Sequence, residues 1–311
     1  MVQPSTPRAY VLDQLCLLDA LWSGVRDGDI DAVHDARVAT RRARAALPFD
    51  FAVPPPAAAE LRRVGRVLGR VRELDATNVL LNELEPRVSD AVSAIGIARR
   101  EVTRRLERER RRMIKRLRHD PRSIARVVVK GAQGTRFSSL WRNWRHELRE
   151  AVRHQAADVQ SALDRATAVF MPNRAHAARI TVKKLRYTVE VALATGVMTG
   201  GHALDDLKRV QETLGDLHDM TVLAKLIDET AFPGDLSAES LAFAEVVRAE
   251  TTRLHQKYVR RREKIRAACD ACVTGIAPRN DTPLAIRAAA VAIPVLVWYL
   301  QPRRTEQQRL A

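Results

Sequence analysis

The chain has 311 residues, 46% of them hydrophobic, and carries 53 Lys plus Arg against 37 Asp plus Glu, for a net charge of +16. That length buries a substantial core as one large domain or two ordinary ones. The cationic excess exceeds what solubility asks for and points to a polyanionic partner: nucleic acid, an anionic membrane surface or a phosphate polymer.

Three cysteines (Cys16, Cys269 and Cys272) are too few for a disulfide framework and suit a reducing cytosol. Arg supplies 45 of the 53 cations. Its planar fork grips phosphate bidentately, although a GC-rich genome produces the same bias.

In chain order, the opening residues MVQPSTPRAYVLDQLC lack the basic stretch and apolar run of a secretory signal, so a cytoplasmic location is expected. Leu12, Leu15, Leu18 and Trp22 recur at three- and four-residue steps and predict a lead helix. After the RDGDID break comes HDARVATRRARAAL, from His34 to Leu47. PFDFAVPPPAAA at 48–59 separates it from LRRVGRVLGRVRELD, which starts at Leu61. Val102, Leu106, Met113 and Leu117 then mark a basic helix over 99–118.

Breaks at 119–123 and at KGAQGT (130–135) precede a second lead helix, marked by Leu140, Trp144, Leu148 and Val152. HAARITVKKLRYTV (176–189), LKRVQETLGDLHDMT (from Leu207) and a basic helix over 247–266 repeat the earlier order. They are separated by MPN at 171–173, TGVMTGG at 195–201 and FPGDLS at 232–237. Cys269 and Cys272 form a lone CxxC with no second pair or nearby His ligands, so no metal is assigned to them.

No segment alternates as strands do, so the expected fold class is all-α, with long antiparallel helices. The duplication predicts two four-helix-bundle halves related by internal pseudo-twofold symmetry, over 8–130 and 137–277, joined at KGAQGT. A tail follows over 278–311. Its apolar run from Ala288 to Leu300 is broken by Pro294 and is shorter than the about 20 residues of a membrane-spanning helix. No transmembrane span is expected; the tail packs on the bundle or docks a granule or protein surface.

Aligning the copies matches His34 with His176, Arg37 with Arg179, Arg41 with Lys183, Arg42 with Lys184 and Arg44 with Arg186. Steps of three and four return to one helix face, so His34, Arg37, Arg41 and Arg44 form one stripe, and His176, Arg179, Lys183 and Arg186 its partner. Arg104, Arg108, Arg111, Lys115 and Arg118 make a third stripe, echoed by Arg253, Lys257, Arg260 and Lys264. Like charges at this spacing repel by a few tenths of a kcal/mol per pair, and solvated helices normally intersperse carboxylates. Over 34–47 only Asp35 is present, and it faces elsewhere. Facing stripes make a shared channel in which a polyanion replaces repulsion with charge-assisted hydrogen bonds. Beside such charge the two imidazoles are expected to stay neutral.

The motifs HDARVATRRAR with LGRVRELD, and HAARITVKKLRY with LGDLHD, resemble those of the CHAD domain, the conserved histidine α-helical domain. The resemblance spans roughly residues 8–277. It implies two four-helix bundles around a basic pore that binds inorganic polyphosphate, without catalysis or a cofactor, on polyphosphate granules. The implied contacts are His34, Arg37, Arg41, Arg42, Arg44, Arg62 and Arg66, with His176, Arg179, Lys183, Lys184, Arg186, Tyr187 and Lys208. Arg104, Arg108, Lys115, Lys257, Arg260 and Lys264 on the basic helices are added. Glu73 and His218 depart from the family's usual Asp and Asn.

Enzyme readings fare worse. Glu107 and Glu109 form the nearest Glu-x-Glu, but on a helix they point about 200° apart and cannot clamp one metal. The pairs His34-Asp35, His119-Asp120 and His218-Asp219 lack the further spaced ligands of a metal-dependent phosphohydrolase. No phosphate loop, dinucleotide turn, HExxH helix or GxSxG elbow occurs. A single-stranded nucleic-acid binder is the main alternative. It needs stacking platforms, yet aromatics are 5% of residues and only Tyr187 interleaves with the stripes.

Overall fold

Helix ends fall where capping chemistry puts them. The structure, a computed structural model, describes residues 4–50, 55–88, 91–117, 120–133, 144–165 and 170–276. Thr6 accepts the Ala9 amide at 3.1 Å and Pro7 opens α1 (Pro7–Ala20), a position where proline's missing N–H does no harm. The short α2 (Trp22–Asp27) stops at Gly28, whose φ of 78° lies in the left-handed region. Asp29 takes the Ala32 amide at 2.7 Å and starts α3 (Ile30–Ala46). Then come α4 (Pro55–Leu84), α5 (Val92–Arg116) and α6 (Pro121–Gln133). They are followed by α7 (Trp144–Arg165), α8 (Pro172–Ala194), α9 (His202–Glu229), α10 (Ser237–Arg260) and α11 (Arg262–Thr274). Among the described residues, one isolated bridge, Met198 to Ile276, is the only β feature. The fold is all-α.

The helices pack in one order, twice. α1, α3, α4 and α5 each lie against the next, with α6 against α1 and α4. α7, α8, α9 and α10 repeat that sequence, with α11 against α7 and α9. Between the sets, α3 meets α8, α4 meets α9 and α5 meets α10. These three helices each meet their own counterpart, while α1 meets α8. The hub is α3, which buries Val33, Ala36, Ala39, Thr40, Ala43 and Ala46. Small side chains let α1, α4 and α8 approach it together.

Two apolar clusters hold the bundle, and both draw on both sets of helices. The larger runs from Leu15, Leu61 and Leu68 to Leu148, Val182, Leu185 and Leu214. The smaller joins Leu81, Leu84, Ile95 and Val102 to Leu223, Phe243 and Leu254. Across the same boundary, the Glu239 carboxylate of α10 accepts the Ser93 and Ala94 amides at 2.9 and 3.1 Å, capping the start of α5.

Two features differ from the sequence reading. Each set carries a helix beyond the four expected, α6 and α11. The basic segment 247–266 is also not one helix: the chain turns at Arg261, between α10 and α11. Arg261 donates to Thr213 Oγ1 at 3.0 Å and Arg262 to the Leu163 carbonyl at 2.7 Å, so two neighbouring cations are anchored to different helices and hold the turn. Leu140, Arg118, His119, the last two residues of the KGAQGT joint and the tail 278–311 lie outside the described residues, and the first four residues of the joint end α6.

A buried fork ties the start of α1 to the segment that follows α3. Arg8 Nε donates to Asp50 Oδ2 at 3.0 Å and Nη2 to Oδ1 at 2.7 Å, both residues buried. Removing Asp50 takes both of these charge-assisted bonds from a buried guanidinium. Asp50→Ala is therefore expected to lower stability by about 3–5 kcal/mol, read as a fall in the urea midpoint at unchanged slope.

Candidate anion-binding site

The two stripes face one another where α3 packs on α8. Burial and the charges of Arg41, Arg179, Arg37 and Arg44 push the Lys183 ammonium down to about 6. Three of those four neighbours sit on α3, so the cations of one helix act directly on the other. Burial, Arg41 and Arg179 likewise lower Arg37, to about 10. Arg179 is lowered chiefly by burial, with Asp219 acting against it. No ion-pair partner for Arg37, Arg41, Arg44, Arg62, Arg66, Arg179 or Lys183 occurs among the described residues, and Arg37 Nε is buried with no hydrogen bond.

That absence is local. Elsewhere arginines are paired one turn away: Arg104 and Arg105 with Glu101, Arg253 with Glu250, Arg63 with Glu60. A crowd of partly buried, unpaired guanidiniums beside a depressed ammonium raises the free energy of the empty protein. A multivalent anion relieves it.

Neighbouring helices position the stripe. At Gly69 on α4 a Cβ would lie 3.6 Å from Arg37 Nε, and at Gly65 one would lie 3.4 Å from Arg44 Nη1 and 3.1 Å from Thr40 Cγ2. These glycines leave the side chains room along α4. Arg72 donates through Nε to His34 Nδ1 at 3.0 Å, so a neutral His34 carries its proton on Nε2, free to donate. Burial, then Arg72, lowers the His34 pKa, as expected of an imidazole amid cations. Behind Arg72, Asp75 is buried and accepts from Arg110 Nη2 at 3.1 Å.

At the other end the His176 and His218 rings lie 5.2 Å apart at 42°. Burial and Arg179 drive His218 down to about 4. Asp219 beside it is raised to about 6, mainly by burial.

Other expected contacts are placed differently. Arg42 Nε donates to Glu190 at 2.8 Å, and Arg186 Nη2 reaches the same carboxylate at 2.8 Å while its guanidinium lies 4.6 Å over the buried Tyr187 ring. This triad ties α3 to α8. Lys208 pairs with Asp205 at 2.9 Å, and Lys257 lies near Asp216. Lys184 is exposed, as are Arg108 and Lys115 on α5, Arg260 at the end of α10 and Lys264 on α11. Cys269 and Cys272 are buried in the larger cluster, their thiols raised to about 12 by burial. Sequence reasoning missed Arg72, Arg110, Glu190, Gly65 and Gly69 as parts of the site, while Asp75 reads from the sequence as a residue that pins basic side chains. The four-residue spacing of the two glycines was a usable signal of close approach on one helix face.

Comparison with known proteins gives the architecture a context. A family model described as the CHAD domain matches residues 9–228. A crystal structure of the CHAD domain from the plant Ricinus communis is similar, with TM-score 0.57 and 23% identity over 87% of this chain and 94% of that one. So is PptA from Streptomyces chartreusis, with TM-score 0.54 and 16% identity over 88% and 99%. No curated protein matches. No described helix is long and apolar enough to cross a membrane.

The crowding has a stability signature. Lys183 has a folded pKa near 6 against 10.5 for the free side chain, so its penalty is full below about pH 6 and fades as pH rises toward the unfolded value. Lys183→Met is expected to raise ligand-free stability by about 1 kcal/mol, most at low pH, read by thermal unfolding at several pH values.

Proposed function

Because the chain belongs to the CHAD domain family, we propose that it is a noncatalytic binder of inorganic polyphosphate, cytoplasmic and associated with polyphosphate granules. The ligand lies in a basic channel between two halves, 8–130 and 137–277, related by pseudo-twofold symmetry. One observation carries the reading: Lys183 is held near 6 by burial and by four arginines from two helices, with no carboxylate paired to any of them among the described residues. Such a site has one complement, an anion of repeating charge. Guanidinium donors offer phosphate oxygens bidentate hydrogen bonds without supplying a nucleophile.

The contacts with the strongest support are His34, Arg37, Arg41, Arg44, Arg179 and Lys183. Arg42, Arg186 and Tyr187 act as the frame beneath them. The one aromatic within the stripes, Tyr187, is buried under Arg186 and gives a nucleobase no face to stack on. This favours a ligand with phosphates and no bases over single-stranded nucleic acid.

The first test is binding of long-chain polyphosphate across a salt titration, beside single-stranded RNA and double-stranded DNA. Selective, steeply salt-dependent polyphosphate binding is expected, lost on changing Arg37, Arg41, Arg179 and Lys183 together to Ala in a variant that keeps its helical circular dichroism. Equal binding of all three polyanions, unaffected by the four changes, would sink the reading.

Binding should also take up a proton. A bound anion restores the Lys183 ammonium, so affinity falls as pH rises above about 6, by up to about tenfold per pH unit. Asp219, raised to about 6, titrates at the lower edge of this window and acts in the same direction. Lys183→Arg keeps its charge and is expected to flatten the dependence between about pH 7 and 9, measured by calorimetry in buffers of different ionisation enthalpy.

A further inference from the structure

α3 and α8 carry matching stripes, but the helices beside them do not match. Aligning Leu61 of α4 with Leu207 of α9 puts Arg62 on Lys208, yet Arg66 falls on Glu212 and Arg70 on Asp216. Two cations on one side are carboxylates on the other, and they lie on the helices that flank the stripes.

The side chains follow this divergence. Next to α4, Gly65 leaves space into which Arg44 extends, and Arg62 and Arg66 act on Arg44 strongly enough, after burial, to lower it. None of the three has an ion-pair partner among the described residues. Next to α9, Gln211 occupies the position of Gly65. Arg186, the counterpart of Arg44, is turned to Glu190 instead, at 2.8 Å. Lys208 is bound to Asp205 at 2.9 Å. Beyond it, Glu212 acts on Asp216, with Lys257 and Arg253 acting the other way. Asp219 beside Arg179 is matched on α4 by Glu73, which also acts on Arg37 and Arg179, so the flanks differ at 212 and 216 and not at 219.

Resting on the polyphosphate reading, we propose that the site is one-armed. A polyphosphate chain seats at the central cluster of Arg37, Arg41, Arg179 and Lys183 and leaves over α4 alone, along Arg44, Arg62 and Arg66. The α9 side repels it. A chain that passes straight through over α9 meets Glu212 and Asp216, where α4 carries Arg66 and Arg70, whereas one that ends at the centre does not. The site therefore selects a polyphosphate terminus and gives the bound chain a direction. The central cluster sets affinity for short chains, and the α4 arm adds affinity only for chains long enough to reach it.

The test compares tripolyphosphate with long-chain polyphosphate on the full chain. The variants are Arg62→Ala with Arg66→Ala, Lys208→Ala, and Glu212→Arg with Asp216→Arg, all at partly or fully exposed positions and each checked for native helix content. The Arg62/Arg66 variant is expected to bind tripolyphosphate within about twofold of wild type but long chains at least about tenfold more weakly. Its log–log salt slope should fall by about 1.4, two contacts at about 0.7 each. Lys208→Ala should change neither ligand, and the α9 charge reversal should tighten long chains only. Long-chain loss in Lys208→Ala equal to that in the Arg62/Arg66 variant, or none in the latter, overturns the one-armed site while polyphosphate binding stands. Failure of wild type to bind either polyphosphate overturns the parent reading itself.

Discussion

Repulsion among unpaired cations at the α3–α8 seam is the constraint that the rest of the bundle answers to. Arg37, Arg41, Arg179 and Lys183 share a partly buried space, and burial strengthens their mutual repulsion by lowering the local dielectric. A helix pair carrying such charge does not associate by itself. It is held by attachments placed elsewhere: two apolar clusters that both cross between the helix sets, the Glu239 cap on α5, and the Arg42–Glu190–Arg186 triad. The triad is instructive because it lies on the stripe helices. Glu190 neutralises the inner cations, which makes a frame, and leaves the outer ones without counterions, which makes a site.

Geometry near the seam is controlled by what is missing as much as by what is present. Alanines on the buried face of α3 bring three helices close to it. Glycines at 65 and 69 leave long arginines room along α4. Arg72 fixes the His34 ring through Nδ1, and the buried Asp75, with Arg110 behind it, sets the charge around Arg72. The result is an array of donors whose orientation is decided before an anion arrives, and preorganised donors lose less free energy in binding than mobile ones. Ligand-free stability is the quantity sacrificed. Functional sites commonly hold such unfavourable charge in place.

Much of this was legible in the chain. The three- and four-residue periodicity of Leu12, Leu15 and Leu18, and of Leu148 and Val152, marks helices because only one face of each must be buried. The paired motifs at His34 and His176 marked the stripes, since alignment of cations survives where alignment of surface residues drifts. Arg186 read like the rest of its stripe, and Arg42 like its neighbours, but both hydrogen-bond to Glu190. Helical spacing gives an angle around one axis, and whether that angle faces the seam or the neighbouring carboxylate depends on a residue, Glu190, outside the repeated motif. Similarly, Arg260 and Lys264 share a helical spacing but are divided by a turn, which Arg261 and Arg262 hold through bonds to α9 and α7.

The sequence by itself determined the all-α class, the doubled order of helices and the cationic stripes, because these rest on periodicity and on charge, both local properties of the chain. Tertiary structure alone decided which cations remain unpaired, how far Lys183 is displaced from its ordinary ionisation, and that α4 and α9 are the helices beside the stripes. Those depend on distances between helices, some of them neighbours in the chain, such as α3 and α4, and some more than a hundred positions apart, such as α3 and α8, and an electrostatic interaction takes its magnitude from separation and burial rather than from order along the chain.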